Sequence, residues 1–210
     1  MIIANWKMNG DKALCHKTAE LVRDRDDLVI CPPATLIDFA RTQGLTVGAQ
    51  DVSAFDNGAH TGEVSAIQMR DIGAAYAIIG HSEKRASGDT DEIVAQKLSR
   101  ATAAGLIPIL CISEISQIPD QLTKRPIDQQ TIIAYEPVWA IGTGKTPTVA
   151  EIESVAAQIR ARAPNAKILY GGSVSDINAG EILRAKNIDG VLVGGASLDI
   201  EKFKTILNAL

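Results

Sequence analysis

Short runs rich in Ile, Val, Leu and Ala recur along the chain, with polar, helix-compatible segments between them. The runs are Ile2–Trp6, Leu28–Cys31, Leu45–Ala49, Tyr76–Gly80, Leu106–Ile112, Thr131–Tyr135, Lys167–Gly171 and Asp189–Gly194. None alternates cleanly between apolar and polar, which predicts strands covered on both faces, as in a parallel sheet. In the sixth intervening segment Ile152, Val155, Ala156, Ile159 and Ala163 fall on one face of a helix, and Phe203, Ile206, Leu207 and Leu210 repeat that spacing at the end. Asp89 and Glu92 have the spacing of a capping box ahead of a helix over Ile93–Thr102. Asp11–Arg23, Ala34–Thr42, Glu63–Ile72 and Ser175–Ala185 are further helix candidates. Ser116–Pro126 carries Pro119 and Pro126 with little apolar periodicity, which predicts a stub or an irregular segment.

Strand and helix alternating eight times implies a closed (β/α)8 barrel or a large doubly wound sheet. The chain has 210 residues, close to the lower end for a barrel, where about 250 is typical. Some helices must therefore be short. A single domain over residues 1–210 is expected.

Composition narrows the function classes. With 46% hydrophobic and 22% charged residues, the chain has the make-up of a folded globular protein rather than a disordered one. The net charge is −4 and no basic stretch exceeds two residues, which argues against nucleic-acid binding. No apolar run approaches the roughly 20 residues that span a bilayer, so no membrane partner is expected. The opening MIIANWKMN lacks the positive region and apolar length of a signal peptide. Cys15, Cys31 and Cys111 are odd in number and widely spaced, so neither a zinc-ligand pair nor a disulfide framework is visible. Buried thiols in a reducing compartment, hence a cytoplasmic protein, are the expectation.

Candidate chemistry collects after the apolar runs, where a barrel places its active site. Asn5 lies at the end of the first run and Lys7 follows it; His81, Ser82 and Glu83 follow the fourth, and Glu136 the sixth. Glu136 sits between Tyr135 and Pro137-Val138-Trp139. A carboxylate beside such bulk is either ion-paired at a strand end or desolvated and more basic, suited to abstracting a proton next to a carbonyl. His81 stands where a helix can begin. There the dipole disfavours imidazolium and a neutral ring could polarise a carbonyl, although a simply hydrogen-bonded histidine fits too. Lys7 could hold an anion or be merely solvated. Gly171-Gly172-Ser173 and Gly194-Gly195-Ala196-Ser197 suit either phosphate-cradling turns or ordinary strand-end turns. Ala140–Lys145 lacks a full phosphate-loop pattern and reads as a lid or a plain connection. His16 and His60 have no such setting.

In combination, the strings Asn5-Trp6-Lys7-Met8-Asn9, Gly80-His81-Ser82-Glu83, Tyr135 to Lys145, Tyr170-Gly171-Gly172-Ser173-Val174 and Val193 to Leu198 resemble the triosephosphate isomerase family, in the family's order. Gly48–Ser53 and Asn57–Glu63 are similar to its third loop. The resemblance implies a closed TIM barrel, unusually short and with a reduced fifth unit. It also implies interconversion of dihydroxyacetone phosphate and D-glyceraldehyde 3-phosphate, a step of glycolysis and gluconeogenesis, with no metal or organic cofactor. By the same resemblance Glu136 is the base and His81 the electrophile. Lys7 and Asn5 contact substrate, and Glu83 is an acid beside Lys7 and His81. Gly142, Ser173, Gly194 and Gly195 hold the phosphate, Pro137–Lys145 is a closing lid, and the loop Gln50–Glu63 joins two copies into a homodimer. The chain departs from the family between Glu114 and Thr131, where residues are missing, at Ser113 in place of a usual Gly, and at Lys84 in place of a usual Arg. Another phosphate-binding barrel enzyme, or a degenerate barrel kept as a scaffold, are the rival readings.

Overall fold

A computed structural model describes residues 1–22, 25, 27–119, 131–138 and 147–210. Eight parallel strands are present: β1 (Ile2–Asn5), β2 (Leu28–Cys31), β3 (Gly48–Ala49), β4 (Tyr76–Ile79), β5 (Ile107–Ile112), β6 (Ile132–Tyr135), β7 (Lys167–Tyr170) and β8 (Gly190–Val193). Their order is β2-β1-β8-β7-β6-β5-β4-β3. The two ends of that order meet: Ile30 of β2 forms a parallel bridge with Val47, and the Ile30 N–H donates to the Thr46 carbonyl at 2.9 Å. The sheet is therefore a barrel and not a doubly wound layer. The Leu45–Ala49 run contributes only two ladder residues beyond that bridge, so closure there is thin.

The missing alternation in the sequence is explained by the two sides of this wall. Ile3, Val29, Cys31, Ile78, Ile109, Cys111, Ile132, Ala134, Leu169 and Leu192 form one buried cluster, which fills the barrel. The residues between them, such as Ile2, Ala4, Ile30, Ile79, Leu110, Ile133, Ile168 and Val193, join the helices in a second cluster outside. Both sides are apolar, so the two-residue period is present in space but not in hydropathy.

The outer layer holds α1 (Lys12–Leu21), α2 (Ile37–Thr42), α3 (Ala66–Asp71), α4 (Ser82–Ala86), α5 (Asp91–Ala103), α6 (Val149–Arg162), α7 (Ala179–Leu183) and α8 (Ile200–Leu207). Capping fixes several starts. Asp11 caps α1, and Ser65 with Gln68 and Thr148 with Glu151 form capping boxes on α3 and α6. The expected Asp89–Glu92 box is displaced by one residue. Thr90 caps α5 through the Ile93 N–H, and Asp89 turns instead to Lys97 at 2.7 Å, a charged partner that outcompetes a backbone amide. Between β5 and β6 the described residues contain only a 3₁₀ turn, Ile115–Gln117, in keeping with a reduced fifth unit. Residues 120–130 lie outside the described set.

Candidate active site

The inward-facing positions of the strands run upward from the apolar filling and end in chemistry. Two residues above Ile3 is Asn5, above Ala134 is Glu136, above Leu169 is Gly171, and above Leu192 is Gly194. Two residues above Asn5 in turn is Lys7. These groups meet at one mouth. A cavity of about 380 Å³ is lined by Asn5, Lys7, His81, Glu83, Glu136, Gly171, Gly172, Ser173, Val174, Leu192, Gly194 and Gly195. A larger hollow of about 650 Å³ lies between α1, β2 and α2, and none of these groups faces it.

Glu136 continues β6, its N–H donating to the Ile112 carbonyl at 2.7 Å. Its side chain is only 1% exposed. One carboxylate oxygen, Oε2, accepts the Ser82 N–H at 2.9 Å, at the start of α4. The other, Oε1, has no hydrogen-bond partner among the described residues and stands 3.4 Å from His81 Nε2. A buried carboxylate oxygen left open in this way is costly, and such atoms concentrate where a ligand completes them. Beneath it, the Cys111 thiol is pushed well above its usual range, first by burial and then by the neighbouring carboxylate.

His81 itself occupies the N-cap of α4, and its Nδ1 accepts the Glu83 N–H at 3.2 Å. A nitrogen that accepts carries no proton, so the neutral ring holds its proton on Nε2, which faces Glu136 and the cavity.

Lys7 lies across the mouth. Its backbone is left-handed, with φ of 52°, a conformation that costs a residue with a side chain roughly 1–2 kcal/mol. Asn5 and Gln50 hold it there. Asn5 Oδ1 accepts the Lys7 N–H at 2.9 Å, and Gln50 Nε2 donates to the Lys7 and Cys31 carbonyls at 2.7 and 2.9 Å. The ammonium pairs with Glu83 Oε1 at 2.6 Å. Burial raises the Glu83 carboxyl, but the Lys7 hydrogen bond and charge outweigh it and leave it below its usual range.

The opposite wall is glycine. A Cβ on Gly172 would lie 2.2 Å from the Tyr170 hydroxyl, and one on Gly171 would lie 3.1 Å from Glu136 Cγ. Asn178 ties the turn down, accepting the Ser175 N–H and donating to the Ser173 carbonyl at 2.8 and 2.9 Å. Gly194 and Gly195 open the 3₁₀ turn Gly195–Leu198, pinned where the Ser197 hydroxyl donates to the Gly194 carbonyl at 2.7 Å. Gly194 faces Lys7, with 3.8 Å between its would-be Cβ and Lys7 Cε. An anion bound at this wall would meet backbone N–H groups and an ammonium together.

The family model for triosephosphate isomerase matches residues 1–210. The triosephosphate isomerase of Halorhodospira halophila is 42% identical, covering 100% of this chain and 97% of that protein. That of a Ruegeria species is also 42% identical, covering 98% and 96%. The crystal structure of triosephosphate isomerase from Bartonella henselae superposes with a TM-score of 0.88 at 33% identity, covering 99% of this chain and 97% of that one. The chain belongs to the triosephosphate isomerase family. It is an enzyme of isomerase type on a TIM barrel. The Halorhodospira alignment runs over 241 positions against 210 residues here, so the relative carries segments that this chain lacks.

Of the residues expected at the site, Asn5, Lys7, His81, Glu83, Glu136, Ser173, Gly194 and Gly195 all line the one cavity. Gly142 and the lid from residue 139 to Lys145 lie outside the described residues. Three participants had no assigned role from sequence: the Ser82 N–H, the Gln50 amide and Leu192, which lines the cavity floor. The first two act through backbone groups far apart in the chain, and no spacing rule encodes that. Leu192 was legible only as the last inward apolar residue of its strand.

Proposed function

We propose that the chain interconverts dihydroxyacetone phosphate and D-glyceraldehyde 3-phosphate through an enediolate, with Glu136 as base and His81 as electrophile. The observation that carries this reading is the Glu136 carboxylate, buried, with Oε1 open and 3.4 Å from His81 Nε2. A substrate carbon seated over Oε1, with its carbonyl oxygen toward His81 Nε2, gives its proton to Oε1. The electron pair left behind moves onto the carbonyl oxygen, where the His81 Nε2–H and the Lys7 ammonium stabilise it. Return of the proton to the adjacent carbon, with a proton exchanged between the two oxygens, completes the isomerisation. Preorganised donors of this kind are worth about 10²–10³ each in turnover, and a positioned base contributes roughly 10²–10⁴.

Ser173, Gly194 and Gly195, opposite Lys7, are the phosphate contacts in this reading, and Asn5 holds both substrate and the Lys7 backbone. Glu83 keeps the ammonium on the cavity side. The whole chain, residues 1–210, acts as one barrel domain. The test is interconversion of the two triose phosphates by the purified protein beside Glu136→Gln. Turnover that is lost in the variant supports the reading, and a folded wild-type protein without turnover rejects it.

The same reading includes a homodimer through Gln50–Glu63. The loop is ordered from within: the Ser53 N–H donates to the Val64 carbonyl at 2.9 Å, and Phe55 stacks on His60 with ring centroids 4.2 Å apart. Met8 is 95% exposed, and Val64 and Ile67 are also open to solvent, apolar side chains that a second copy would cover. Three free, buried cysteines support a reducing, cytoplasmic location. Among the described residues no helix is long and apolar enough to cross a membrane.

A further inference from the structure

We infer that Asp51 is a positioning residue that keeps the short helix carrying His81 and Glu83 in register with Lys7; the inference rests on the isomerase reading above. Helix α4 spans five residues and buries none of them. So short a helix has little stability of its own, and its place in the molecule depends on what grips it. Its start is held by the Ser82 N–H on Glu136, and Arg85 donates to the Gly80 carbonyl at 2.9 Å and to Asp91 at 2.6 Å; the hold on its middle comes from Asp51. Both Asp51 oxygens accept from Lys97 Nζ, at 2.9 and 2.8 Å, and Oδ2 also pairs with Lys84 Nζ at 3.1 Å. Lys84 is in the body of α4, next to Glu83. Lys97, on α5, gives its remaining proton to Asp89 at 2.7 Å, just beyond the exit of α4. The Lys97 side chain is 6% exposed and has all three donors placed. Two acids and two ammonium groups thus clamp α4 at its middle and its end.

The residue before Asp51 is Gln50, whose amide holds the left-handed Lys7 backbone. One dipeptide following β3 therefore registers Lys7 on one side and the His81 helix on the other. Lys7 and His81 must act on the same substrate oxygen, so their separation is what this dipeptide sets. The Lys84 that replaces the family's usual arginine reaches Asp51 through one ammonium, without the two-point hold of a guanidinium. That puts more of the clamp on Lys97 and on Asp51 itself.

The experiment is Asp51→Ala in the full chain, with steady-state kinetics at a protein concentration where sedimentation gives the wild-type mass, and amide hydrogen exchange alongside. The expected result is a kcat lower by about tenfold or more with KM nearly unchanged. Exchange should rise across residues 82–88 and not across α6. Asp51→Asn, which keeps one acceptor for Lys97, should recover most of the loss. Unchanged kcat and unchanged exchange at 82–88 would overturn the assignment. So would exchange that rises throughout the chain, or a loss of activity that tracks a fall in mass, since either makes Asp51 a general stabiliser. If Asp51→Ala does not fold, Asp51→Asn decides by the same two readouts. The exchange arm separates this inference from the isomerase reading: a wild-type protein that turned over no triose phosphate would reject that reading, while protection of 82–88 would still report whether Asp51 holds the helix.

Discussion

Glu136→Asp tests the base by withdrawing it without discharging it. The Glu136 backbone is anchored, with its N–H on the Ile112 carbonyl at 2.7 Å and its flanks in β6, so Cα cannot advance to compensate. Removing one methylene draws the carboxylate back by about 1.5 Å. The 2.9 Å contact with the Ser82 N–H then stretches beyond hydrogen-bond range, and the oxygen facing His81 recedes from the substrate carbon. Misplacement of about 1 Å costs on the order of 10² in rate, so kcat should fall by about 10²–10³. KM should stay within about threefold, because the proposed phosphate contacts do not involve residue 136. The fold loses one buried methylene, worth about 1 kcal/mol, or a few degrees in Tm. A coupled assay in both directions with thermal unfolding alongside measures all three. A kcat within about threefold of wild type in a folded variant would remove Glu136 from the role of base.

Three other perturbations follow from the geometry. Lys7→Gly relieves a left-handed backbone and should raise thermal stability by up to about 1 kcal/mol while nearly abolishing turnover; a variant that is both active and no more stable would contradict the reading of Lys7. Gly172→Ala drives a methyl group to 2.2 Å from the Tyr170 hydroxyl, so it should raise KM for triose phosphate more than it lowers Tm, as steady-state kinetics and unfolding would show. Glu83 is held below its usual value of 4.5, because its Lys7 hydrogen bond and charge outweigh the upward push of burial. Its contribution to stability is therefore complete above that value and lost as pH falls through the lower folded value. Glu83→Gln should flatten that acid-side part of a Tm-against-pH curve, and an unaltered slope would count against the pair. For assembly, Gly62 has φ of 90°, which a β-branched side chain resists. Gly62→Val should distort the loop and shift the sedimentation mass toward the monomer, and an unchanged mass would remove that loop as the contact.

The sequence by itself determined the alternation of eight apolar runs with helical segments, because a strand covered on both faces must be apolar throughout and a helix packed on one face must repeat near every third or fourth residue. It also carried the residues that line the cavity, since Asn5, Lys7, His81, Glu136 and the two glycine pairs all sit at or just past the end of a run, where a parallel barrel turns polar. What it could not separate was barrel from open sheet. That choice is made by a single bridge, Ile30 to Val47, between segments whose hydropathy is the same in either topology. Nor could it say which strand residues face inward, because two apolar environments leave no contrast to read. The cap of α5 moved from Asp89 to Thr90 because a lysine eight residues away competed for the carboxylate, an event decided in space. The Glu136 carboxylate, with one oxygen on the Ser82 N–H, and the Lys7 backbone held by Gln50 belong to the same class. Each depends on hydrogen bonds between residues distant in the chain, and only the closed barrel brings those partners within 3 to 4 Å of one another.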